Sequence, residues 1–364
     1  MADGAELAPA RGDARADGRE AQPLFGALDL GTNNCRLLIA TPTPSGFRVV
    51  DSYSRIVRLG EGLTRSGRLG DDAMDRAVAA LSVCGERLRR RRVTRVQAVA
   101  TQACRVAENG PEFLRRVKQE AGVELRIITA REEAHLAVAG CLNLLDRREQ
   151  AALVVDVGGG STELSWVDLT DARLDDGAAH VRLERLPIRA WVSIPLGVVS
   201  LAEMFPEVAG ERAWFDAMVG EVRARLSAFT EADGMRPLFE TGRAHMVGTS
   251  GAITSLAGLH LGLKRYDRAR VDGLWLKHGD CLTAAERLIG LAPAERAAEP
   301  CIGPDRADLV LAGAAILQAV QSLWPCERVR VADRGLREGL LLSGMARSPR
   351  PRRRRRRGGT AGRA

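Results

Sequence analysis

The pattern of apolar and polar positions repeats at two places in the chain. Each copy is an apolar run that contains one aspartate, then a tight turn of Gly, Ser, Thr or Asn residues, then a second alternating run. The copies are ALDLGTNNCRLL at 27–38 and VVDVGGGSTEL at 154–164. Apolar alternation on both sides of a glycine turn is typical of a β-hairpin. Because Asp29 and Asp156 occupy equivalent places, we expect two related lobes, each with one such hairpin.

Between and after the hairpins, the pattern predicts alternating strands and helices. An apolar stripe that includes Met74, Val78 and Leu81 predicts an amphipathic helix over 71–90. Polar residues at 168–180 predict an exposed hairpin loop. This order of elements indicates α/β lobes with mixed sheets and helices packed on them. The remaining predicted helices are 111–122, 132–145, 198–205, 210–231, 307–323 and 335–345, and the remaining strands are 47–59, 93–100, 124–129, 181–191, 193–197 and 329–331.

The two hairpin turns are candidate phosphate loops. Their glycines let the backbone approach a bulky anion closely, and the surrounding N–H groups and polar side chains can donate to phosphate oxygens. A dinucleotide-binding fold also carries a glycine-rich turn after a strand, but there the chain continues into a helix. Residues 161–167 instead alternate with a period of two, which predicts a strand. A pair of ordinary glycine hairpins is the alternative that the residues alone leave open.

A third glycine turn differs from the two hairpins. GTSG at 248–251 follows an apolar pair and leads into an apolar helical stretch. Such a turn places backbone N–H groups at a helix N-terminus, where anions bind favourably. An ordinary helix cap formed by Thr249 or Ser250 is the alternative interpretation.

Length and charge limit the classes of protein to consider. The chain has 364 residues, enough for two domains, and a net charge of +8. Nine arginines and no acidic residue lie in 347–364, so the rest of the chain is close to neutral, which argues against nucleic acid as the main partner. We expect this segment to be a disordered tail, with electrostatic binding of polyphosphate, RNA or an anionic surface as its alternative role. Residues 1–22 are also predicted to be disordered.

The sequence carries no sign of a membrane protein. No run approaches the roughly 18 apolar residues that a membrane span needs, and the N-terminus has no apolar signal core. We therefore expect a cytoplasmic protein. The seven cysteines form no C-x-x-C pair, which favours reduced, packed thiols, and the five histidines show no ligand spacing, which argues against a zinc site.

Four motifs, in this order along the chain, resemble those of the exopolyphosphatase/guanosine pentaphosphate phosphatase (Ppx/GppA) family. They are DLGTNN at 29–34, DVGGGSTEL at 156–164, GTSG at 248–251 and DRGLREGL at 333–340. The resemblance covers about 24–346. It implies two ribonuclease-H-like lobes of the actin, heat-shock chaperone and sugar kinase fold group, which face each other across a cleft. We accordingly expect a disordered tail at 1–22, lobe I at 23–135, lobe II at 136–346 and the Arg-rich tail at 347–364.

The resemblance also implies a catalytic residue. The family's catalytic glutamate matches Glu133, in ITAREEA at 128–134. A carboxylate at the lobe junction would orient and deprotonate the water that attacks the terminal phosphate. From the residues alone, Glu132 and Glu133 are simply acids that favour the dipole of a first helical turn.

Metal and phosphate ligands are implied in the same way. Asp156 and Glu163 bracket the second turn, from which two carboxylates can hold a hard cation such as Mg²⁺, and Asp29 is a weaker third candidate. Arg105 matches a family arginine that binds phosphate, with a surface ion pair as its alternative role. The full set of implied phosphate-binding residues is Gly31, Thr32, Asn33, Asn34, Arg105, Gly158, Gly159, Gly160, Ser161, Gly248, Thr249, Ser250 and Gly251.

The implied activity is hydrolysis of a terminal phosphate from a phosphoanhydride chain, with a divalent metal. Inorganic polyphosphate is favoured as the substrate over guanosine pentaphosphate (pppGpp). In the first loop, Thr32 and Asn34 stand where the family more often has serines, and this change bears on substrate preference. A kinase or a non-catalytic nucleotide-gated protein of the same fold group is a more remote expectation. The sequence does not fix the oligomeric state, and a homodimer is one option.

Overall fold

The first half of the chain forms a five-stranded mixed sheet. The computed structural model describes residues 23–171, 182–208 and 211–346. The strands are β1 (Phe25–Leu30), β2 (Asn34–Thr43), β3 (Gly46–Ile56), β4 (Arg95–Ala100) and β5 (Arg126–Ile127). Their order across the sheet is β3-β2-β1-β4-β5, in which β1, β2 and β3 are antiparallel and β4 and β5 run parallel to β1.

The second half of the chain repeats this plan. Its strands are β6 (Ala151–Val157), β7 (Thr162–Asp168), β8 (Ile188–Ile194), β9 (Ala244–Thr249), β10 (Trp275–Lys277) and β11 (Arg328–Ala332). In the order β10-β11-β9-β6-β7-β8, the strands β6, β7 and β8 are antiparallel and β9 and β11 run parallel to β6. The short edge strand β10 is an addition. The repeated plan confirms the two related α/β lobes predicted from the duplicated hairpin.

Helices cover both sheets. In the first half they are α1 (Leu63–Ser66), α2 (Asp71–Arg90), α3 (Gln102–Val106), α4 (Gly110–Ala121) and α5 (Ala130–Cys141). The later helices are α6 (Val198–Met204), α7 (Arg212–Ser227), α8 (Arg236–Glu240), α9 (Gly251–His260), α10 (Arg268–Val271), α11 (His278–Gly290), α12 (Pro293–Ala298), α13 (Val310–Leu323) and α14 (Leu336–Ala346).

Helix α2 shows how the apolar pattern sets the fold. It spans the residues that the stripe predicts, and Ala77, Leu81 and Leu88 are buried in one core with Leu28 and Leu37 of the first sheet. A helix of this length is stable here because it buries one apolar face against the sheet. The predicted strands and helices elsewhere agree with the structure to within a few residues, with two exceptions.

The first exception is the predicted strand at 124–129, of which only β5 pairs with its neighbour. The chain leaves the sheet early because Thr129 caps α5, where its hydroxyl accepts a hydrogen bond from the backbone N–H of Glu132 at 3.1 Å. The helix therefore begins before the predicted residue 132. The second exception is the pair of predicted strands at 181–191 and 193–197. They form one strand, β8, which begins after the 3₁₀ turn Leu183–Arg185 and ends at Ile194, before Pro195.

Some predictions fall outside the described residues. These are the two disordered tails, at 1–22 and 347–364, and most of the exposed loop at 168–180. They stay predictions. Among the described residues, no helix has both the length and the apolar character to cross a membrane. All seven cysteines are buried free thiols, as expected.

The two lobes are joined where α5 crosses α14. Helix α14 follows the second sheet in the chain but packs on β1 of the first, whereas α5 packs on β6, β7 and β8 of the second. The predicted lobe boundary after residue 135 falls inside α5 and stays a prediction. At the crossing, a Cβ on Gly339 would lie 2.1 Å from the backbone oxygen of Leu136, and a Cβ on Gly140 would lie 1.9 Å from that of Gly335. Glycine is therefore required for these helices to touch.

Replacement of Gly339 by alanine tests this contact. The added methyl group must push the two helices apart, and overpacking of this kind costs roughly 1–3 kcal/mol of stability. Gly220→Ala is the matched control, because Gly220 lies inside α7 with open space around its Cβ position. There alanine should stabilise by up to about 1 kcal/mol. Urea unfolding of both variants measures the difference, and equal stabilities would contradict the assigned role of Gly339.

Candidate active site

A cleft of about 310 Å³ lies between the two lobes. Its walls are formed by the hairpin turns of both sheets, the start of α5, the start of α9 and the start of α14. The structure brings most of the predicted site residues to this cleft, namely Asp29, Gly31, Thr32, Asn33, Asn34, Glu133, Asp156, Gly158, Gly159, Gly160, Ser161, Thr249, Ser250 and Gly251. It does not bring Arg105, Glu163 or Gly248 to the cleft surface.

The two hairpin turns have the same internal hydrogen bond. In the first turn, the backbone N–H of Gly31 donates to the carbonyl oxygen of Asn34 at 2.8 Å, and in the second, that of Gly158 donates to Ser161 at 2.9 Å. The strands that lead into and out of each turn pair in equivalent register. The sequence repeat therefore reflects a structural repeat, and both copies face one cleft.

Close contacts join the first loop to the second. A Cβ on Gly160 would lie 2.8 Å from the Thr32 hydroxyl, and a Cβ on Gly159 would lie 3.1 Å from the backbone nitrogen of Asn33. On the other side of Thr32, a Cβ on Gly60 would lie 2.2 Å from the threonine methyl carbon. The glycines thus leave room for the branched side chain of Thr32.

The two hairpins differ in the charges that they pair across the strands. In the first lobe, Asp29 lies directly opposite Arg36, so an acid faces a base. In the second lobe, Asp156 lies directly opposite Glu163, so two acids face each other. Like charges at opposite positions on neighbouring strands destabilise a sheet. The second hairpin therefore sets two acids side by side, with no base opposite either of them on the paired strands.

Burial and mutual repulsion disfavour ionisation of these acids. Burial raises the pKa of Asp156 to about 7, and the charges of Glu133 and Asp29 act in the same direction. Burial and the charges of Glu133 and Asp156 raise the pKa of Glu163 well above its ordinary value, although the Ser193 hydroxyl donates to its Oε1 at 2.7 Å. A bound cation would favour the ionised forms.

Glu133 lies at the start of α5 and is almost fully buried. Burial raises its pKa to about 7, while Arg105 opposes this rise through its charge and a hydrogen bond from Nη1 to Oε2 of 3.1 Å. Arg105 also donates to the carbonyl oxygen of Ile128 at 2.8 Å and to Oε1 of Gln102 at 2.5 Å. Its guanidinium therefore holds the glutamate and lies behind the cleft wall.

The third glycine turn caps a helix and also lines the cleft. Ser250 caps α9, because its hydroxyl accepts from the backbone N–H of Ile253 at 3.1 Å. The same turn lines the cleft, so the positive end of the α9 dipole faces the cleft. Gly248 instead lies within β9, where a Cβ would approach Ile253 at 2.7 Å, so it serves packing.

Several cleft residues were missed from the sequence. Arg36, Arg306 and Arg337 supply positive charge, and Gln102 and Tyr266 supply polar groups. Arg36 was detectable, because the hairpin register places it opposite Asp29. Arg337 belongs to the DRGLREGL motif, and burial lowers the pKa of its guanidinium. Nothing in the local pattern around Arg306 or Tyr266 singles them out, since only the fold brings them to the cleft.

Comparison with known proteins identifies the family. The model of the Ppx/GppA phosphatase family matches residues 38–348. Exopolyphosphatase 2 of Mycobacterium tuberculosis is 30% identical over 330 residues, which cover 87% of this chain and 97% of that protein. The crystal structure of the Aquifex aeolicus member of the Ppx/GppA family has a TM-score of 0.69 at 27% identity and covers 89% of this chain and 97% of its own. A solved exopolyphosphatase-like protein gives a TM-score of 0.75 at 27% identity, with coverages of 88% and 98%.

These similarities extend over most of the chain, including parts of both lobes. They confirm the predicted fold class, with two α/β lobes of the actin-like group around an interdomain cleft. They also confirm the predicted enzyme class, a hydrolase that acts on phosphoanhydride bonds. The chain belongs to the Ppx/GppA phosphatase family.

Proposed function

We propose that this protein is a metal-dependent exopolyphosphatase of the cytoplasm, which releases terminal orthophosphate from inorganic polyphosphate. The observation that carries the proposal is that two equivalent glycine loops and Glu133 share one cleft. The similarity to a protein named exopolyphosphatase supports this substrate. Release of the 5′ terminal phosphate of pppGpp is the second candidate, because the cleft continues past the loops to Tyr266 and Arg306 and leaves room for a larger group.

In the proposed reaction, Glu133 accepts a proton from the attacking water. A base with a pKa of about 7 is well matched to neutral pH, since it is partly ionised and still basic enough to take the proton. Arg105 orients the carboxylate through its 3.1 Å hydrogen bond. The backbone N–H groups and polar side chains of the two hairpin loops hold the phosphate oxygens.

The acids of the second hairpin fit a hard cation. Asp156 lines the cleft with Glu163 directly opposite it, and a divalent ion there would offset their repulsion. Within the described residues, no group of three or more His, Cys, Asp and Glu side chains is arranged to hold a metal on its own. Substrate phosphates and water would complete the ligands, as is usual for Mg²⁺. Bound in this way, the ion would polarise the phosphoryl group. Asp29, on the opposite loop, is the weaker candidate ligand.

Phosphate release measured side by side on short polyphosphate, long polyphosphate and pppGpp tests the proposed substrate. We expect the highest kcat/KM on polyphosphate. A higher kcat/KM on pppGpp would favour the second candidate. Transfer of phosphate to an organic acceptor, with little free phosphate, would contradict hydrolysis altogether.

Glu133→Gln tests the proposed base. The substitution keeps the size and hydrogen bonding of the side chain but removes its basicity, so the chemical step should slow by roughly 10²–10⁴-fold with little change in substrate binding. Glu132→Gln is the control, because Glu132 forms an exposed ion pair with Arg126 and does not line the cleft. If both variants lose activity equally, or if Glu133→Gln fails mainly by unfolding, the base lies elsewhere.

Asp156→Asn and Glu163→Gln test the metal site. Removal of either negative charge should lower turnover by orders of magnitude at limiting Mg²⁺ and shift the Mg²⁺ titration to higher concentration, with partial recovery at high Mg²⁺. Glu132→Gln again serves as the control. An unchanged Mg²⁺ titration for Glu163→Gln would show that Glu163 is not a metal ligand and only accepts the hydrogen bond from Ser193. Near wild-type rates for Asp156→Asn would contradict the metal site.

Truncation after Ala346 tests the Arg-rich tail. If the tail captures polyanions, its removal should raise KM for long polyphosphate at low salt and leave short substrates almost unchanged, because such attraction is screened by salt. Equal kinetics of both proteins at all salt concentrations would leave the tail without a role in binding. Sedimentation velocity on the same samples measures the oligomeric state, for which a homodimer is one option.

A further inference from the structure

A loop after β3 lies directly against the first phosphate loop. We call residues 57–62 the strap. The backbone N–H groups of Val57 and Arg58 both donate to the carbonyl oxygen of Asn33, at 2.9 and 3.1 Å. The N–H of Gly60 donates to the carbonyl oxygen of Thr32 at 2.9 Å. The strap therefore fixes the backbone of the loop that faces the substrate.

The same strap reaches across to the second lobe. Arg58 donates from Nη1 and Nη2 to the two carboxylate oxygens of Asp308, at 2.8 and 3.1 Å. Nη2 also lies 3.3 Å from the carbonyl oxygen of Asp305. A paired, two-point contact of this kind between arginine and a carboxylate fixes orientation as well as distance.

A second contact leads from the strap to the second phosphate loop. The backbone N–H of Gly62 donates to Oε1 of Glu203 on α6 at 2.8 Å. The first N–H groups of α6, on Val198 and Val199, donate to the carbonyl oxygens of Gly158 and Gly159 at 3.0 and 2.8 Å. A continuous path of hydrogen bonds thus runs from the first loop through the strap and α6 to the second loop.

The backbone of Arg58 supports a specific role for this residue. Its φ of 47° lies in the left-handed region, which a side chain other than glycine, asparagine or aspartate seldom adopts. Arg58 is one-third exposed and Asp308 one-half exposed. The contact is therefore reversible and depends on salt, because water and ions compete for both partners.

We propose that Arg58 and Asp308 are positioning residues that hold the strap across the cleft and so set the spacing between the two phosphate loops. This inference rests on the proposed function of the cleft as a polyphosphate site. With the pair formed, both loops grip one phosphate chain from opposite sides. With the pair broken, the strap keeps its hydrogen bond from Gly62 to Glu203 but loses its two-point contact, so the first loop is held less firmly and substrate binding weakens while the chemistry at Glu133 is unchanged.

Kinetics of Arg58→Asn on tripolyphosphate with Mg²⁺ test the proposal. Asparagine tolerates the left-handed backbone, so the variant should fold normally. We expect KM to rise about fivefold at low salt, because a partly exposed ion pair contributes only a small free energy. The change in kcat should be smaller. The difference from the wild type should shrink as salt increases. Arg68→Asn is the matched control, because Arg68 pairs with Glu108 inside the first lobe and should leave KM unchanged.

A charge exchange provides the decisive comparison. Arg58→Asp and Asp308→Arg should each raise KM, and the double variant should recover most of the wild-type value at low salt. A purely structural role would instead change thermal stability and show no such recovery. Unchanged KM in all three variants, or no recovery in the double variant, would overturn the proposal.

Failure of this inference is distinguishable from failure of the proposed function. If Glu133→Gln abolishes phosphate release while Arg58→Asn behaves like Arg68→Asn, the hydrolase assignment stands and the strap has no positioning role. If the wild-type protein does not hydrolyse tripolyphosphate, the spacing of the lobes is still measurable by small-angle scattering. In that case, equal dimensions of the wild type and Arg58→Asp would overturn the role of the strap as well.

Discussion

The geometry of the cleft depends on the contact between the backbones of α5 and α14. Each helix packs on the sheet of the other half of the chain, so their crossing fixes one sheet relative to the other. Glycine at positions 140 and 339 lets the two helices touch without side chains between them. Glu133 in the first turn of α5 and Arg337 in the first turn of α14 reach the cleft from this crossing. The crossing therefore determines the positions of these two charged side chains.

Two unequal copies of one hairpin together form the site. The loops share their internal hydrogen bond and their exposure to the cleft, which suits a ligand whose groups are alike on both sides. The charges next to the loops differ, since one copy pairs an acid with a base and the other pairs two acids. In the proposed function, both lobes therefore contribute an anion-binding loop, whereas the acid pair proposed to hold a cation belongs to the second lobe.

The sequence predicts the features that depend on local patterns. The hairpins and α2 follow from alternation and an apolar stripe, and the resemblance to a family points to Glu133 and Asp156, both of which line the cleft. Short elements such as β10 and α3 were missed because a few residues carry too little periodicity. The sequence also could not show that Arg105 turns toward Glu133, or that residues 57–62 bridge the lobes. Both facts depend on contacts between residues far apart in the chain.

The equivalence of the two loops has a consequence for a substrate that is itself a repeat. A linear polyphosphate presents the same group at every step along its length, so a shift by one unit brings an identical group to each loop. If polyphosphate is the substrate, as proposed, the shortened chain could regain its contacts after each cleavage by sliding one place, without a search through solution. A substrate with one unique end group has no identical unit that could slide into place, so it must dissociate after each turnover.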